Sequence, residues 1–387
     1  MVRVLVFGAW DDGVGYPRPR SLLRALNDTG HEVVAWRLPS TFAGQRRIDV
    51  VRRPWRWPAA AARVFAAGRR ARTSFAAARA AVTPDVVVVP YPGHFMAPMV
   101  RSVFRGPIVL DLFLSAHDTA VEDRGYFGPR SLVARALAGI DRRACEAADL
   151  VLLDTPTHAQ RVATTCGLPA GRVGWLPVGD PDAAAAAEPY PELAAPLRLL
   201  FFGTGVPLHG LPVLVEAVER CGGSVHLDVI GGSPAERRAI AARPSSCVTL
   251  GPAFVDRVPL QRAIAAAHVV CGVFGRSGKT ARVIPFKVMH ALAAGRPVLT
   301  GDTPAVREWM QPGHDVLVAP TDDAAALADT LQGLVREADT LPAIARAARA
   351  AYERRFSPEA LADQCRALLA PLLGAHHAPD RRASVHA

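Results

Sequence analysis

The chain has 387 residues, half of them hydrophobic and 21% charged. This length suits two domains of roughly 170 to 190 residues each, and the composition excludes an intrinsically disordered protein. No apolar run reaches the roughly 18 residues that a membrane-spanning helix needs, because prolines, Gly93 and His94 interrupt the run 84–100. Residues 2–7 read as a strand before a Gly/Asp loop rather than as a signal peptide. We therefore expect a cytoplasmic protein.

The cysteines and histidines give no sign of a metal site. The six cysteines are scattered singly without a CxxC pair, which favours free thiols in a reducing compartment. The twelve histidines include no HxxxH or HxH pair. We therefore predict no metal ligands and no metal dependence.

The net charge of +10 is concentrated in one segment. Ten arginines and a single acid lie between Arg46 and Arg79, together with two tryptophans and two phenylalanines. This pattern fits an interfacial helix on an anionic membrane or a solvated crossover helix, and the sequence leaves both open. Because no nucleic-acid-binding motif accompanies the charge, nucleic acid is not an expected partner.

In chain order, the first half alternates short Val- and Leu-rich strands with helical stretches. Helices are predicted at 21–27 and 128–147, from their apolar spacing. Such alternation indicates an α/β domain, with a parallel sheet covered on both faces, over residues 1–178. The predicted strands are 3–7, 32–36, 85–90, 107–113 and 150–153.

After a Pro- and Ala-rich linker at 179–196, the same alternation starts again. It predicts a second α/β domain over 197–354, a final helix at 355–373 after the break Phe356-Ser-Pro, and a flexible tail at 374–387. The predicted elements are strands 197–202, 225–230, 248–251, 268–273 and 297–300, helices 210–221, 258–267 and 284–294, and three helical segments within 321–373.

Two glycine-rich turns in the second half follow predicted strands. Gly203, Thr204 and Gly205 come after the first strand, with His209 and Gly210 opening the next helix, and Gly231 and Gly232 come after the second strand. Ligands of open parallel sheets bind at the carboxyl ends of the strands, where glycine lets the backbone approach an anion. Each turn alone is also explained by steric needs.

The stretch from Gly275 to Thr300 is the most informative one. A loop with glycines and three cations, among them Arg282, leads into a helix with Pro285 and Lys287 in its first turn. A lysine there opposes the helix dipole by about 0.3 to 1 kcal/mol unless an anion compensates it. Lys287 and His290 share one face, while Ile284, Val288 and Leu292 can pack inward. The pattern therefore predicts a diphosphate site.

These stretches resemble the retaining glycosyltransferases of family four, which have the GT-B fold. The resemblance covers residues 2–370. It implies two Rossmann-like domains that face each other across a cleft, with the C-terminal helix packing back on the N-terminal domain. The residues that carry it are Ile284-Pro-Phe-Lys-Val-Met-His-Ala-Leu-Ala-Ala-Gly-Arg-Pro-Val, Arg307-Glu308, Phe202-Gly-Thr-Gly with His209-Gly210, and, similar to a bacterial branch, Tyr16-Pro-Arg, Asp111 to Thr119, Asp123-Arg124 and Leu153-Asp154-Thr155.

The resemblance implies a donor site in the second domain. The turn Gly203 to Gly205 would lie beside the donor phosphates, with Lys287 as the main cation and Arg282 in support. Relatives often carry a lysine where this chain has His209. They often carry acids at the positions of Arg282 and His290, so Glu308 is the remaining acid placed for ribose or sugar contact.

The activity implied is transfer of a sugar from a nucleoside-diphosphate sugar to a hydroxyl acceptor, with retention of configuration and no further cofactor. Cations and N–H dipoles can stabilise the leaving diphosphate without a metal. The catalytic candidates of the first domain are Asp111, His117 and Asp118, one of which could orient or deprotonate the acceptor. The two aspartates could equally only cap loops. A silent nucleotide-sugar binding protein and a GT-B-fold nucleotide-sugar epimerase remain the alternatives.

Overall fold

A computed structural model describes residues 1–377 apart from 12, 14, 15, 40–54, 56, 184–186 and 244. Much of the arginine-rich segment, part of the predicted linker and the end of the predicted tail therefore lie outside the described residues. The chain forms two compact units. The first contains Met1–Val121, Gly125–Pro177 and the chain from Pro358 onward, and the second contains Glu122–Arg124 and Val178–Ser357.

The first unit is built on a six-stranded sheet in the order β2-β1-β3-β4-β5-β6. All of its pairings are parallel. Its central strands are buried because Val and Leu run along them without polar alternation. The strands are β1 (Arg3–Gly8), β2 (Glu32–Arg37), β3 (Val86–Val89), β4 (Ile108–Asp111), β5 (Leu150–Leu153) and β6 (Val173–Trp175).

Helices cover this sheet, and the last one comes from the far end of the sequence. Leu361, Cys365 and Leu369 of the last helix pack in one apolar cluster with Val4 of β1 and Leu22 of the first helix. The predicted return of the C-terminal helix to the N-terminal domain is thereby confirmed. The helices of this unit are α1 (Pro17–Asn27), α2 (Trp57–Val82), α3 (Met96–Arg101), α4 (Leu132–Glu146), α5 (Pro156–Cys166) and α13 (Pro358–His377).

The second unit has its own six-stranded parallel sheet, in the order β12-β11-β10-β7-β8-β9. Relative to its first strand this is the order 3-2-1-4-5-6 of the Rossmann fold. The strands are β7 (Leu197–Gly203), β8 (Val225–Gly231), β9 (Val248–Leu250), β10 (Val269–Cys271), β11 (Val298–Gly301) and β12 (Leu317–Ala319). The helices are α6 (Leu211–Arg220), α7 (Pro234–Ala241), α8 (Arg257–Ala266), α9 (Phe286–Ala293), α10 (Pro304–Trp309), α11 (Ala324–Arg336) and α12 (Leu341–Arg355).

The strand order of the second unit locates its crevice. The order reverses between β7 and β10, and ligands of such sheets bind at that switch point, outside the carboxyl ends of the strands. The loops that leave the two strands are joined there, because Phe274 N donates to His209 O at 3.0 Å and Gly275 N donates to Leu208 O at 3.0 Å. The predicted α/β architecture of two Rossmann-like domains is confirmed.

Candidate functional site

The two predicted glycine turns of the second unit pack directly against each other. Gly232 N donates to Gly203 O at 2.7 Å. A Cβ atom on Gly231 would lie 2.0 Å from Gly203 O, and one on Gly205 would lie 2.0 Å from Ser233 N. Gly205 also has a φ of +67°. Only glycine allows this contact, which fixes the ends of β7 and β8 side by side.

Lys287 and His209 meet beside the first of these turns. A Cβ atom on Gly203 would lie 3.2 Å from Lys287 Nζ and 3.1 Å from His209 Nδ1. The Nζ atom also lies 3.9 Å from the centroid of the buried Phe201 ring. Lys287 is only 5% exposed and His209 only 8%. The structure thus brings the two residues that the sequence offered for phosphate binding to one point.

Both of these nitrogen atoms are buried polar groups. Within the part of the chain that the structure describes, the buried Lys287 Nζ and His209 Nδ1 have no hydrogen-bond partner. An unpaired polar group in the interior costs about 1 to 3 kcal/mol, and more when it is charged. A ligand with negative charge and acceptor oxygens would satisfy these two residues, which we call the Lys287–His209 pair.

The surroundings shift both groups away from their charged forms. Burial lowers the pKa of Lys287 to about 7, against smaller opposing effects of Cys271 and Glu236. Burial, followed by the charges of Lys287 and Arg124, lowers the pKa of His209 well below its usual value. An anion in the crevice would reverse these shifts.

Arg282 and His290 each carry an acidic partner from a distant part of the chain. Arg282 Nη2 donates to Glu122 Oε2 at 2.7 Å, and His290 Nε2 lies 3.2 Å from Asp180 Oδ2. Sequence reasoning missed both acids, since Glu122 lies 160 positions before its partner. The charge of Arg282 is compensated by a carboxylate, so its predicted support of a diphosphate is weakened.

The remaining predicted donor-site residues of the second unit differ in how deeply they are buried. Ile284 is buried in the cluster that also contains Val288 and Leu292, which confirms the predicted inward packing but gives Ile284 a packing role. Pro285 is the residue that precedes α9, and Gly210 packs against Gly275, whose N would lie 2.5 Å from an added Cβ. Thr204 and Glu308 are exposed, and Glu308 lies on α10.

In the first unit Asp111 forms a buried ion pair at the end of β4. Its carboxylate accepts from Arg18 Nη2 at 2.6 Å and Nε at 3.0 Å. The two side chains are 0% and 2% exposed, and Arg18 also donates to Leu176 O. This geometry supports the alternative in which Asp111 holds the structure rather than contacting an acceptor.

The other two acceptor-side candidates lie in a separate buried network. His117 N donates to Asp141 Oδ2 at 3.0 Å. Burial raises the pKa of Asp141, but the hydrogen bond and charge of His94 outweigh it, so the pKa lies below its usual value. Asp118 lies 3.9 Å from Nε2 of His158, a residue that the sequence analysis did not single out. His158 Nδ1 lies 2.6 Å from Asp154 Oδ1, so Asp118 has a histidine neighbour that is itself held by a second carboxylate.

Backbone strain lies close to this network. Phe113, two residues after β4, has a φ of +51°, and Leu114 N donates to Leu112 O at 2.5 Å across it. This is the pattern of a strained γ-turn. The Phe113 ring lies 5.7 Å from that of Tyr91 and 5.3 Å below the Arg18 guanidinium, so the buried ion pair of Arg18 also holds the strained loop. Strain of this kind concentrates at functional sites.

Comparison with known proteins agrees with this fold. Residues 196–337 match the family model described as glycosyl transferases group 1, and this range contains the Lys287–His209 pair and both glycine turns. Phosphatidyl-myo-inositol mannosyltransferase of Mycobacterium leprae is 32% identical over 184 residues, which are 45% of this chain and 47% of that protein. The match thus spans about half the length of that relative.

Solved structures match nearly the whole chain in fold. Sucrose-phosphate synthase of Thermosynechococcus elongatus has a TM-score of 0.70 at 17% identity, with 97% of this chain and 100% of that one covered. HepE of Anabaena, in complex with UDP, has a TM-score of 0.63 at 13% identity, with 96% and 100% covered. The chain has the GT-B fold. Its resemblance to family-four-like glycosyltransferases is confirmed, with the family match in the second unit.

No helix among the described residues combines the length and the apolar character that crossing a membrane would require.

Proposed function

We propose that this chain is a metal-independent glycosyltransferase that moves a sugar, with retention of configuration, from a nucleoside-diphosphate sugar to a hydroxyl acceptor. The observation that carries the proposal is the buried Lys287–His209 pair, which has no hydrogen-bond partner within the described residues and stands at the switch point of the unit that matches the glycosyltransferase family.

The chemistry of the pair fits this reaction. When the bond between the anomeric carbon and the donor oxygen breaks, negative charge develops on the leaving diphosphate. Preorganised cations in a water-poor site stabilise that charge without reorganising, and Lys287 would do so here. HepE structures contain UDP and UDP-glucose, which makes uridine nucleotides the first donors to test.

Binding of UDP tests the proposal directly. UDP, GDP or TDP at about 100 times its dissociation constant stabilises the folded protein by roughly 2.7 kcal/mol, measured as a thermal shift. In Lys287→Met this response should vanish, while the ligand-free variant should unfold at a higher temperature than wild type at pH 6, because an uncompensated buried cation has been removed.

Arg276→Met is the matched control, since Arg276 is a cation of the neighbouring loop whose side chain is 82% exposed. It should respond to UDP like wild type. If no nucleoside diphosphate stabilises the wild-type chain, or Lys287→Met responds fully, the proposed donor site is wrong.

A silent nucleotide-sugar binding protein is the second candidate. It is favoured by the basic residues Arg282 and His290 at positions where the resemblance implies acids. Incubation with UDP-, GDP- and TDP-sugars, followed by detection of the released nucleotide, separates the two. We expect hydrolysis or transfer from at least one donor. Tight binding without turnover, for every donor of the panel and with plausible hydroxyl acceptors present, would show that the chain is a silent nucleotide-sugar binding protein.

We further propose that the chain works in the cytoplasm and touches the anionic inner face of the membrane through the segment from Arg46 to Arg79. Residues 46–54 and 56 lie outside the described structure. In the described part, α2 exposes Phe65 by 71% and Trp57 by 40%, next to the exposed arginines Arg63 and Arg69. Wild type should sediment with anionic liposomes, while Phe65→Ser should stay in the supernatant. If wild type pellets equally with neutral and anionic liposomes, the proposed contact with an anionic membrane is contradicted.

A further inference from the structure

Three residues from the first half of the sequence belong to the second unit. Glu122, Asp123 and Arg124 are assigned to it by their contacts. Glu122 pairs with Arg282 at 2.7 Å, and Ser277 Oγ donates to Asp123 Oδ1 at 3.2 Å. The segment 122–124, which we call the clasp, is thus fastened at two points to the cationic loop between β10 and α9.

The third residue of the clasp brings a further positive charge to the candidate site. Arg124 directly follows the two residues that are fastened to the cationic loop, and its charge, after burial and the charge of Lys287, lowers the pKa of His209. Its Nε is buried and has no hydrogen-bond partner in the described chain. Arg124 Nε lies 3.5 Å from Oδ2 of the adjacent residue Asp123. This distance is longer than a good charge-assisted hydrogen bond.

The positive charges of Arg124 and Lys287 both disfavour protonation of His209 in an empty site. Like charges in a low dielectric repel one another, and the contacts of Glu122 and Asp123 with the cationic loop hold the clasp in place. An anionic ligand removes this repulsion. The flat fork of an arginine is suited to two phosphate oxygens, which a lysine contacts only as a point charge.

We propose that Arg124 is a third cation of the diphosphate site and makes that site select nucleoside diphosphates over nucleoside monophosphates. The proposal rests on the donor site proposed above. The residue lies outside the range that matches the family model, 196–337, so the selectivity would come from a part of the chain that the match does not cover.

Calorimetric titration of the full chain with UDP, UMP and inorganic pyrophosphate tests this proposal. Arg124→Gln should weaken UDP and pyrophosphate by about tenfold or more, the size of a lost charge-assisted hydrogen bond, and change UMP affinity less than about twofold. Arg124→Lys should recover part of the lost UDP affinity, since it restores the charge without the fork. Arg276→Gln, which removes an exposed cation of the same loop, should leave all three affinities unchanged.

The outcomes separate the two proposals. If wild type binds UDP and Arg124→Gln weakens UDP and UMP equally, or weakens neither, the role of Arg124 is overturned and the donor site stands. If wild type binds pyrophosphate in an Arg124-dependent way but no nucleotide, Arg124 stands and the nucleotide-sugar function falls. If wild type binds none of the three probes, both are overturned. Far-ultraviolet circular dichroism of Arg124→Gln and Arg124→Lys shows whether the variants are folded.

Discussion

In the proposed donor site, Lys287 would serve binding at the expense of stability. Its ammonium lies over the Phe201 ring and near His209, whose Nδ1 has no hydrogen-bond partner among the described residues. If a diphosphate binds beside this lysine as proposed, protonation of Lys287 and ligand binding are coupled.

The coupling predicts a definite pH dependence of UDP binding. Because Lys287 has a pKa of about 7 in the empty site and an anion raises it, binding takes up a proton above pH 7. The groups that face it are His209, Cys271 and Glu236, with Arg124 acting on His209. The terminal phosphate of UDP is already ionised there. UDP affinity should therefore fall by up to about tenfold per pH unit from pH 7 to pH 9.

Titration calorimetry in buffers of different ionisation enthalpy measures the proton uptake. Lys287→Arg is the matched variant, because arginine stays charged throughout this range. Its binding should take up fewer protons and vary less with pH. Identical pH profiles for the two proteins would show that Lys287 is not the group that titrates.

Asp111 gives a second prediction at the scale of single residues. Replacing it by Asn leaves the Arg18 guanidinium buried without a carboxylate, which typically lowers the free energy of unfolding by about 3 to 5 kcal/mol. The double variant Arg18→Met with Asp111→Leu removes both charges and should recover most of that loss. Urea unfolding followed by circular dichroism measures both.

The exposed pair of Arg366 and Asp363 in the same unit is the control. Asp363→Asn should change the free energy of unfolding by less than about 1 kcal/mol. A folded double variant that still releases nucleotide from a nucleoside-diphosphate sugar would assign Asp111 to the structure, and a folded but inactive one would restore its predicted catalytic role.

At the scale of elements, the contact between the two glycine turns makes a sharp prediction. Gly205 and Gly222 have similar φ values of +67° and +60°, but a Cβ on Gly205 would meet Ser233 N at 2.0 Å while one on Gly222 meets nothing within 4 Å. Gly222→Ala should lower the free energy of unfolding by only about 1 to 2 kcal/mol. Gly205→Ala should lower it further and weaken UDP binding, as shown by denaturation and calorimetry. Equal effects would mean that the turns do not need their close contact.

The elements that the sequence predicts are those with a strong apolar pattern. Continuous Val and Leu runs such as β3 and β5 are found where expected. The three-residue strands β6 and β12 escaped prediction, whereas β9 and β10, which are equally short, were predicted. Helix α5 escaped because its start depends on the cap of Thr155, whose side chain accepts from His158 N, rather than on apolar spacing.

Part of the candidate site could be predicted because the strands that carry it were recognised from their apolar runs. The carboxyl ends of parallel strands share one edge, so Gly203 and the lysine-bearing helix were expected to converge once the strands were recognised. The partners of Arg282 and His290 could not be predicted. Glu122 and Asp180 reach them through tertiary folding, and nothing in their local sequence distinguishes them from other acids.

At the scale of the whole molecule, the chain completes its first unit with its last helix. Leu361 of α13 is 2% exposed and packs with Val4 and Leu22, more than 300 positions away in the sequence. A substitution near the end of the chain should therefore loosen the unit that contains its beginning. Leu331 of α11 is equally buried, at 0% exposed, but in the core of the second unit.

Hydrogen exchange read by mass spectrometry can compare Leu361→Ala with Leu331→Ala. Each removes a buried leucine, which lowers the local free energy of unfolding by about 2 to 5 kcal/mol. Leu361→Ala should speed exchange in β1 and α1 while UDP still protects the Gly203 turn and α9. Leu331→Ala should speed exchange in the second unit and leave β1 unchanged. If Leu361→Ala instead speeds exchange in both sheets equally, the two units unfold as one cooperative body, and the stability of the donor site depends on α13 as much as on its own core.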